Sequence, residues 1–171
     1  NVGTLIIAAD GAYTFTPAAN YNGTVPTISY TTNTGSTSTL NISVTPVDDS
    51  FKDANETVST LEDTALTGSV LTGTISVDGP VSVLNFTVKG SQYQAGETAT
   101  ITNVGTLVIG ANGAYIFTPA ANYNGPVPEV RYTVTDGSGT DDTTTLNISV
   151  TPVNDNVIDA GESVTSNEDT L

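Results

Sequence analysis

Two stretches of this chain are copies of one sequence, and that repetition constrains the fold more than any other feature. Asn1 to Pro46 reads NVGTLIIAADGAYTFTPAANYNGTVPTISY…STLNISVTP, and Asn103 to Pro152 reads NVGTLVIGANGAYIFTPAANYNGPVPEVRY…TTLNISVTP. The offset is 102 residues at Asn1/Asn103 and 106 at Pro46/Pro152, so the second copy carries a four-residue insertion. A third match follows: Asp53-Ala54…Glu56…Glu62-Asp63-Thr64 recurs as Asp159-Ala160…Glu162…Glu168-Asp169-Thr170. A period of about one small domain marks a tandem array. The expected division is 1–48 as the C-terminal part of one repeat, 49–154 as a complete repeat, and 155–171 as the start of the next, with the array continuing beyond both ends. Such arrays serve length or multivalency before catalysis.

Within the complete repeat the pattern is all-β. Leu84, Phe86 and Val88 alternate with Asn85 and Thr87; Val130, Tyr132 and Val134 alternate with Arg131 and Thr133; Leu146, Ile148 and Val150 alternate with Asn147 and Ser149. Each run has one apolar and one polar face, as antiparallel strands over a core require. Asp10-Gly11 and Asn112-Gly113 predict hairpins, and Asn22-Gly23 and Asn124-Gly125 predict a further turn. No amphipathic helix is evident, and Ala120–Tyr123 predicts one turn at most. Seven or more short strands in about 105 residues predict a Greek-key β-sandwich of immunoglobulin or cadherin type. Tyr115, Phe117, Phe86 and Tyr132 are the expected buried aromatics, Tyr132 also being a candidate for a tyrosine-corner hydrogen bond. Phe51, Tyr93 and Tyr123 are expected at edges or junctions.

The charges are one-sided and clustered. The chain has 18 acidic residues, three basic residues, no histidine and a net charge of −15. This excludes nonspecific nucleic-acid binding, which needs Lys and Arg, and argues against docking on an anionic membrane. No apolar run reaches transmembrane length. Cysteine is absent, so the core and any bound metal must supply stability. Fourteen of the 18 acids lie in 48–63 and 136–169, at the repeat boundaries and the loops expected to face them. Without nearby cations such carboxylates repel one another. A divalent cation relieves that repulsion, and ligands limited to oxygen suit calcium rather than zinc. No EF-hand loop is present, so any site is assembled from separate segments. Solvated loop carboxylates are the competing explanation.

Several segments resemble a known group: Thr151-Pro-Val-Asn-Asp-Asn156, Ser166-Asn-Glu-Asp-Thr170, Ser76-Val-Asp-Gly79, Phe117-Thr-Pro-Ala-Ala-Asn-Tyr-Asn-Gly125 and Tyr132-Thr-Val-Thr-Asp-Gly137. Together they look like the tandem cadherin-like and immunoglobulin-like repeats of giant bacterial RTX adhesins, and Val153-Asn-Asp-Asn156 is similar to the calcium-binding linker of cadherins. The resemblance implies a type I secreted protein of the bacterial cell surface. Its repeats would be extenders that project a distal binding domain, in adhesion or biofilm formation, and that calcium stiffens at the junctions. Carried over, it implies Asp49 and Asp155 as linker ligands, Glu62-Asp63 and Glu168-Asp169 as the matching acidic pairs, and Asp136 in the TDG turn. A bridge from Asp49 to Glu62 and Asp63 would tie linker to domain. Asp78 retains one acid where related sequences carry two, Ser76 standing at the other. The first copy lacks counterparts of Asp136, Asp141 and Asp142.

No catalytic residue is expected, because histidine and cysteine are absent and the Ser and Thr residues fit strands. The expected partners are neighbouring repeats of the same polypeptide and other copies in a filament. A self-assembling extracellular filament or matrix protein, and a ligand-binding adhesin module, are the alternative functions.

Overall fold

The computed structural model describes residues 1–155, 161–163, 165 and 168. Among these there are only strands, turns and loops. The first copy forms β1 (Gly3–Ile7), β2 (Tyr13–Pro17), β3 (Gly23–Thr24), β4 (Ile28–Thr31), β5 (Thr37–Leu40) and β6 (Ser43–Val44). Then follow β7 (Glu56–Leu61), β8 (Leu66–Ser69), β9 (Ser82–Val88), β10 (Ser91–Gln94) and β11 (Thr98–Ile101). The second copy forms β12 (Gly105–Ile109), β13 (Ala114–Pro119), β14 (Gly125–Pro126), β15 (Val130–Thr135) and β16 (Asp142–Thr151).

From β7 onward the strands make a β-sandwich. One sheet runs β10-β9-β15-β16, with β14 continuing the β15 side of β16 and β7 parallel to β16 on its other side; the second runs β11-β12-β13-β8. Alternate residues of both sheets meet in one core. Phe86, Leu107, Ile109, Phe117, Val130, Tyr132, Val134 and Leu146 are fully buried there. Burial of each such side chain favours folding by roughly 1.5–3 kcal/mol. All four expected aromatics are in this core. Phe51 joins it, and Tyr93 stacks on Phe86 with centroids 5.3 Å apart.

The alternation in β9 slips by one residue. Val83 is buried and Leu84 is exposed, whereas the sequence pattern places Leu84 on the core face. Pairing to β15 explains this: Asn85 lies opposite Thr133, but Val83 opposite Val134, so Leu84 is the extra residue of a β-bulge. A bulge reverses which side chains face inward on one side of it.

Both expected hairpins form, through a longer turn than a two-residue loop. Gly113 N–H donates to Gly110 C=O at 2.9 Å, and Gly113 has φ 80°. The corresponding bond in the first copy is Gly11 N–H to Ala8 C=O at 3.0 Å, with φ 89° at Gly11. Glycine thus closes the turn in the left-handed region. Asn112 and Asp10 each accept the N–H two residues on, at 3.1 and 3.0 Å. At the Asn22-Gly23 and Asn124-Gly125 turns the chain already takes a left-handed step two residues earlier, at Asn20 and Asn122, with φ 58° and 57°.

Gly105 opens β12 at φ 148°, where an added Cβ would lie 2.2 Å from the Thr118 carbonyl oxygen. The strand can therefore cross the end of β13 only without a side chain there. Gly105→Ala is expected to destabilise the sandwich by about 1–3 kcal/mol, which urea unfolding followed by tyrosine fluorescence measures. Gly3→Ala, at the matching position of the first copy, should leave that transition in place.

Candidate functional site: two acidic ends of one sandwich

The strap from Pro46 to Asn55 is fixed to the sandwich by side chains rather than by a ladder. Asp48 accepts the Ser138 hydroxyl at 2.7 Å and also the Thr140 hydroxyl. Asp49 N–H donates to Asp78 Oδ2 at 2.6 Å. Asp136 accepts the Ser76 hydroxyl and, through Oδ1, Ser138 N–H at 2.9 Å; Ser138 Oγ lies 2.6 Å from the same oxygen. Ser138 Oγ has one proton, so Asp48 and Asp136 compete for it. Ser76 Oγ in turn accepts Asp78 N–H at 3.1 Å. Asp48, Asp78 and Asp136 line a cleft of about 300 Å³ with Asn22, Val47 and Ser138, and no Lys or Arg is among its walls.

The local sequence dictates this arrangement. Gly137 and Gly139 have φ 82° and 146°, which lets the 136–140 loop fold back on itself and present Ser138 and Thr140 to the strap. That loop contains the four-residue insertion of the second copy. Hydroxyl donors hold the carboxyls of Asp48 and Asp136 below the ordinary range, Thr140 most for Asp48 and Ser138 most for Asp136. Depressed pKa values mean that these contacts favour the folded state above the unfolded carboxylate range and are lost as pH falls through the folded values.

A second group lies at the other end. Glu62 is 5% exposed, accepts Val153 N–H through Oε1 and accepts Asn124 Nδ2–H at 3.1 Å through Oε2. Its own N–H donates to Thr151 C=O at 2.9 Å. Asp63, at φ 59°, accepts Asn122 N–H at 3.0 Å. These contacts clamp the chain where it leaves β16. Asp155 is exposed beside this end, and Glu168 is exposed in a turn. Asp169 lies outside the described residues.

The structure therefore sorts the sequence-predicted residues into two groups that the sequence reading mixed. Asp49 and Asp136 belong to the end that faces the first copy, with Asp48 and Asp78. Glu62 and Asp63 lie past the far end of β7, whose six residues span about 20 Å at roughly 3.3 Å each. Asp49 does not share a site with Glu62 and Asp63, because β7 runs parallel to β16 and carries the pair toward Pro152. Asp48, Ser76, Ser138 and Thr140 were missed as contributors. The signal available was Ser76 and Asp78 flanking Val77, a two-residue spacing that puts both on one loop.

The donor set at the first end fits a hard divalent cation in chemistry: carboxylate and hydroxyl oxygens, with no nitrogen or sulfur. Among the described residues no three acidic side chains converge on one point. Asp48 and Asp136 instead share the Ser138 hydroxyl.

A third acidic group is internal to the sandwich. Tyr132 is fully buried, and its hydroxyl donates to Glu56, with Val70 C=O at 3.2 Å and Ala54 C=O at 3.4 Å. The tyrosine thus serves as core packing and as the hydrogen bond that pins the strap. Asp53 accepts the Thr74 hydroxyl, and its N–H donates to Asp142 at 2.8 Å. Burial raises the Glu56 carboxyl above its ordinary value of 4.5, and the neighbouring Asp53 charge adds to this against the Tyr132 hydrogen bond. A raised carboxyl pKa means that the folded state binds more protons, so this group's contribution is favourable below the unfolded value and declines as pH rises through the folded one. Glu56→Gln should therefore raise Tm at pH 7 and flatten the fall in Tm between pH 4.5 and 7, measured by calorimetry. A lower Tm at pH 7 with an unchanged slope would contradict this assignment.

The family comparisons agree with the architecture. Residues 46–149 match the bacterial Ig domain family, and residues 1–47 match the cadherin-like domain family. The crystal structure of domains 4 and 5 of the S-layer protein SbsC is 18% identical, with a TM-score of 0.34 over 85% of this chain. This chain spans 65% of that one. No match to a curated protein was found. The chain belongs to the bacterial Ig domain family, and is a tandem Ig-like and cadherin-like array.

Proposed function

We propose that this bacterial Ig-family array is a stretch of a cell-surface rod, an extender of the RTX-adhesin kind, whose junctions calcium stiffens. The observation that carries the reading is the seating of the linker. Asp48 and Asp49 are held by the loops that carry Asp78 and Asp136, so the orientation of the preceding repeat is decided by a few contacts between carboxylates and hydroxyls. The rod would project a distal adhesive domain from the bacterium, toward a surface or a biofilm. In this reading 49–154 is one repeat, 1–48 and 155–171 belong to its neighbours, and the chain has no catalytic role.

Family membership supports the structural role, and the internal repeat supports extension. The composition fits an outside location: 18 acids against three bases keep an extended molecule soluble. Calcium, when bound, supplies positive charge and takes oxygen ligands. Asp48, Asp78 and Asp136 would hold it at one end, with Asp49 and the Ser138 hydroxyl beside them. Glu62, Asp63 and Asp155 would form the corresponding set at the other, and Glu168 and Asp169, the sequence counterparts of Glu62 and Asp63, would serve the same role in the following repeat. Glu62 already positions the linker by holding Val153 N–H. Asp78 and Asp136 sit on loops of a rigid sandwich, so they bring a fixed frame to a linker that otherwise bends.

Calorimetric titration of the chain with calcium tests this. Binding is expected, with Tm rising in millimolar calcium relative to chelator; a hundredfold excess over Kd corresponds to about 2.7 kcal/mol. Asp136→Asn and Asp48→Asn should each remove most of the heat and of the Tm shift while leaving the chelator Tm within a few degrees. Absence of both heat and Tm shift in the unmodified chain would leave the acids as solvating charge and the rod without its metal.

A further inference from the structure

The charges leave one face of the sandwich bare. Residues 64–77 and 98–128 contain no Asp, Glu, Lys or Arg, and they hold all four strands of the β11-β12-β13-β8 sheet. The other sheet carries Glu56 on β7, Arg131 on β15 and Asp142 on β16. Ala99, Leu107, Ile109, Tyr115 and Phe117 are buried, so the residues between them point away from the core. Register lines these outward residues up in two rows. Thr98, Val108, Ile116 and Thr67 lie opposite one another across the four strands, and Thr100, Thr106 and Thr118 form the next row. Ile116 stands out of the first row, 52% exposed. Beside the second row is a hollow of about 290 Å³, with Thr100, Gly105, Thr106, Thr118 and Pro119 in its walls.

We propose that this face pairs with the same face of a second copy of the chain, Ile116 of each seated in the hollow of the other. Two features select that occupant. A net charge of −15 makes two copies repel, and least where the facing surfaces carry no charge. Such a face also dehydrates without burying an unpaired ion. The second feature is self-complementarity. Ile116 and Thr118 of the hollow are two residues apart on one strand, so a two-fold axis between the copies makes both contacts at once. The hollow is large enough for the side chain, since apolar cavities of about 150 Å³ take benzene. The two sheets would pack about 10 Å apart, with strands aligned to within about 30°. The contact is small. Four strands about 4.8 Å apart, with residues rising about 3.3 Å each, offer a face of roughly 300 Å². Stable complexes bury about 800 Å² per partner, so the pair is weak and forms where chains are crowded side by side. The first copy keeps Thr4, Thr16 and Pro17 at the positions of Thr106, Thr118 and Pro119 but has Thr14 for Ile116. Each chain therefore brings one protruding isoleucine, and the expected species is a pair. This contact depends neither on calcium nor on the rod.

Sedimentation of the full chain in chelator, from micromolar to millimolar concentration, tests this, with amide shifts recorded on the isotope-labelled chain. A monomer–dimer equilibrium is expected at the upper end. Salt should strengthen it, because salt screens the repulsion between chains of like charge. Concentration-dependent shifts should fall on the amides of 98–101, 105–109 and 114–119. Ile116→Glu, at an exposed position, should keep the Tm of the monomer and weaken the pair at least about tenfold, because it would place an unpaired carboxylate in the hollow. Thr118→Glu, in the wall of the hollow, should weaken it likewise and guards against misfolding of the first variant. Tyr13→Asp, on the first copy, should leave the pair as it is. A chain that stays monomeric at millimolar concentration in high salt would overturn the proposal. So would a pair that Ile116→Glu and Thr118→Glu leave intact, or one that Tyr13→Asp abolishes.

Discussion

Everything in this structure depends on two half-sandwiches burying each other. One half is 49–102 and the other 103–151, and neither has an apolar face that could be left in water. With the covering strands the repeated half buries Tyr115, Tyr132 and Ile109. Local sequence is enough to set hairpin registers, which agree between the copies pair by pair. It is not enough to make a core. The hydrophobic driving force appears only when strands distant in sequence meet.

The sandwich also decides where the acids can act. The strands carry few charges, so the carboxylates collect at the two ends, where loops and linkers enter and leave. Because β7 runs parallel to β16, the chain enters at one end, near Asp49, and passes Glu62 at the other. Each end thus combines a linker with acids on rigid loops. At the entering end Thr140 and Ser76 donate hydroxyls to Asp48 and Asp136, and Ser138 lies between those two carboxyls. At the leaving end the Asn122 amide holds Asp63, and those of Asn124 and Val153 hold Glu62. Such short, polar connections resist bending only as far as their hydrogen bonds hold. That is the physical reason a cation at these points would matter to the shape of an array.

Much of this was legible in the sequence. Period-two alternation placed β15 and β16 and named the buried aromatics, because both faces of those strands are decided by one core. It failed at Leu84, since a bulge depends on the partner strand and β9 alone does not reveal it. The Asn-Gly and Asp-Gly pairs located the hairpins, but the turn type followed from where glycine took its positive φ. The acids were found as a group and not as sites. Linear proximity joined Asp49 to Glu62 and Asp63, whereas a strand of extended backbone sets them far apart. Ser138 and Thr140 were silent because hydroxyls in a Thr-rich chain carry no signal until a carboxylate faces them.

The central claim, that calcium fixes the angle between repeats, is tested most directly by measuring that angle's spread. The chain has no cysteine, so two copies of 47–152 joined head to tail, which keep Val47, Asp48 and Asp49 at the junction, can carry one spin label each at Gln92→Cys. Pulsed electron resonance then gives the distribution of distances between the labels. The account predicts one narrow distribution in millimolar calcium and a broad one in chelator, with Asp136→Asn in the second copy broad in both. Distributions of equal width with and without calcium in the unmodified tandem would contradict it.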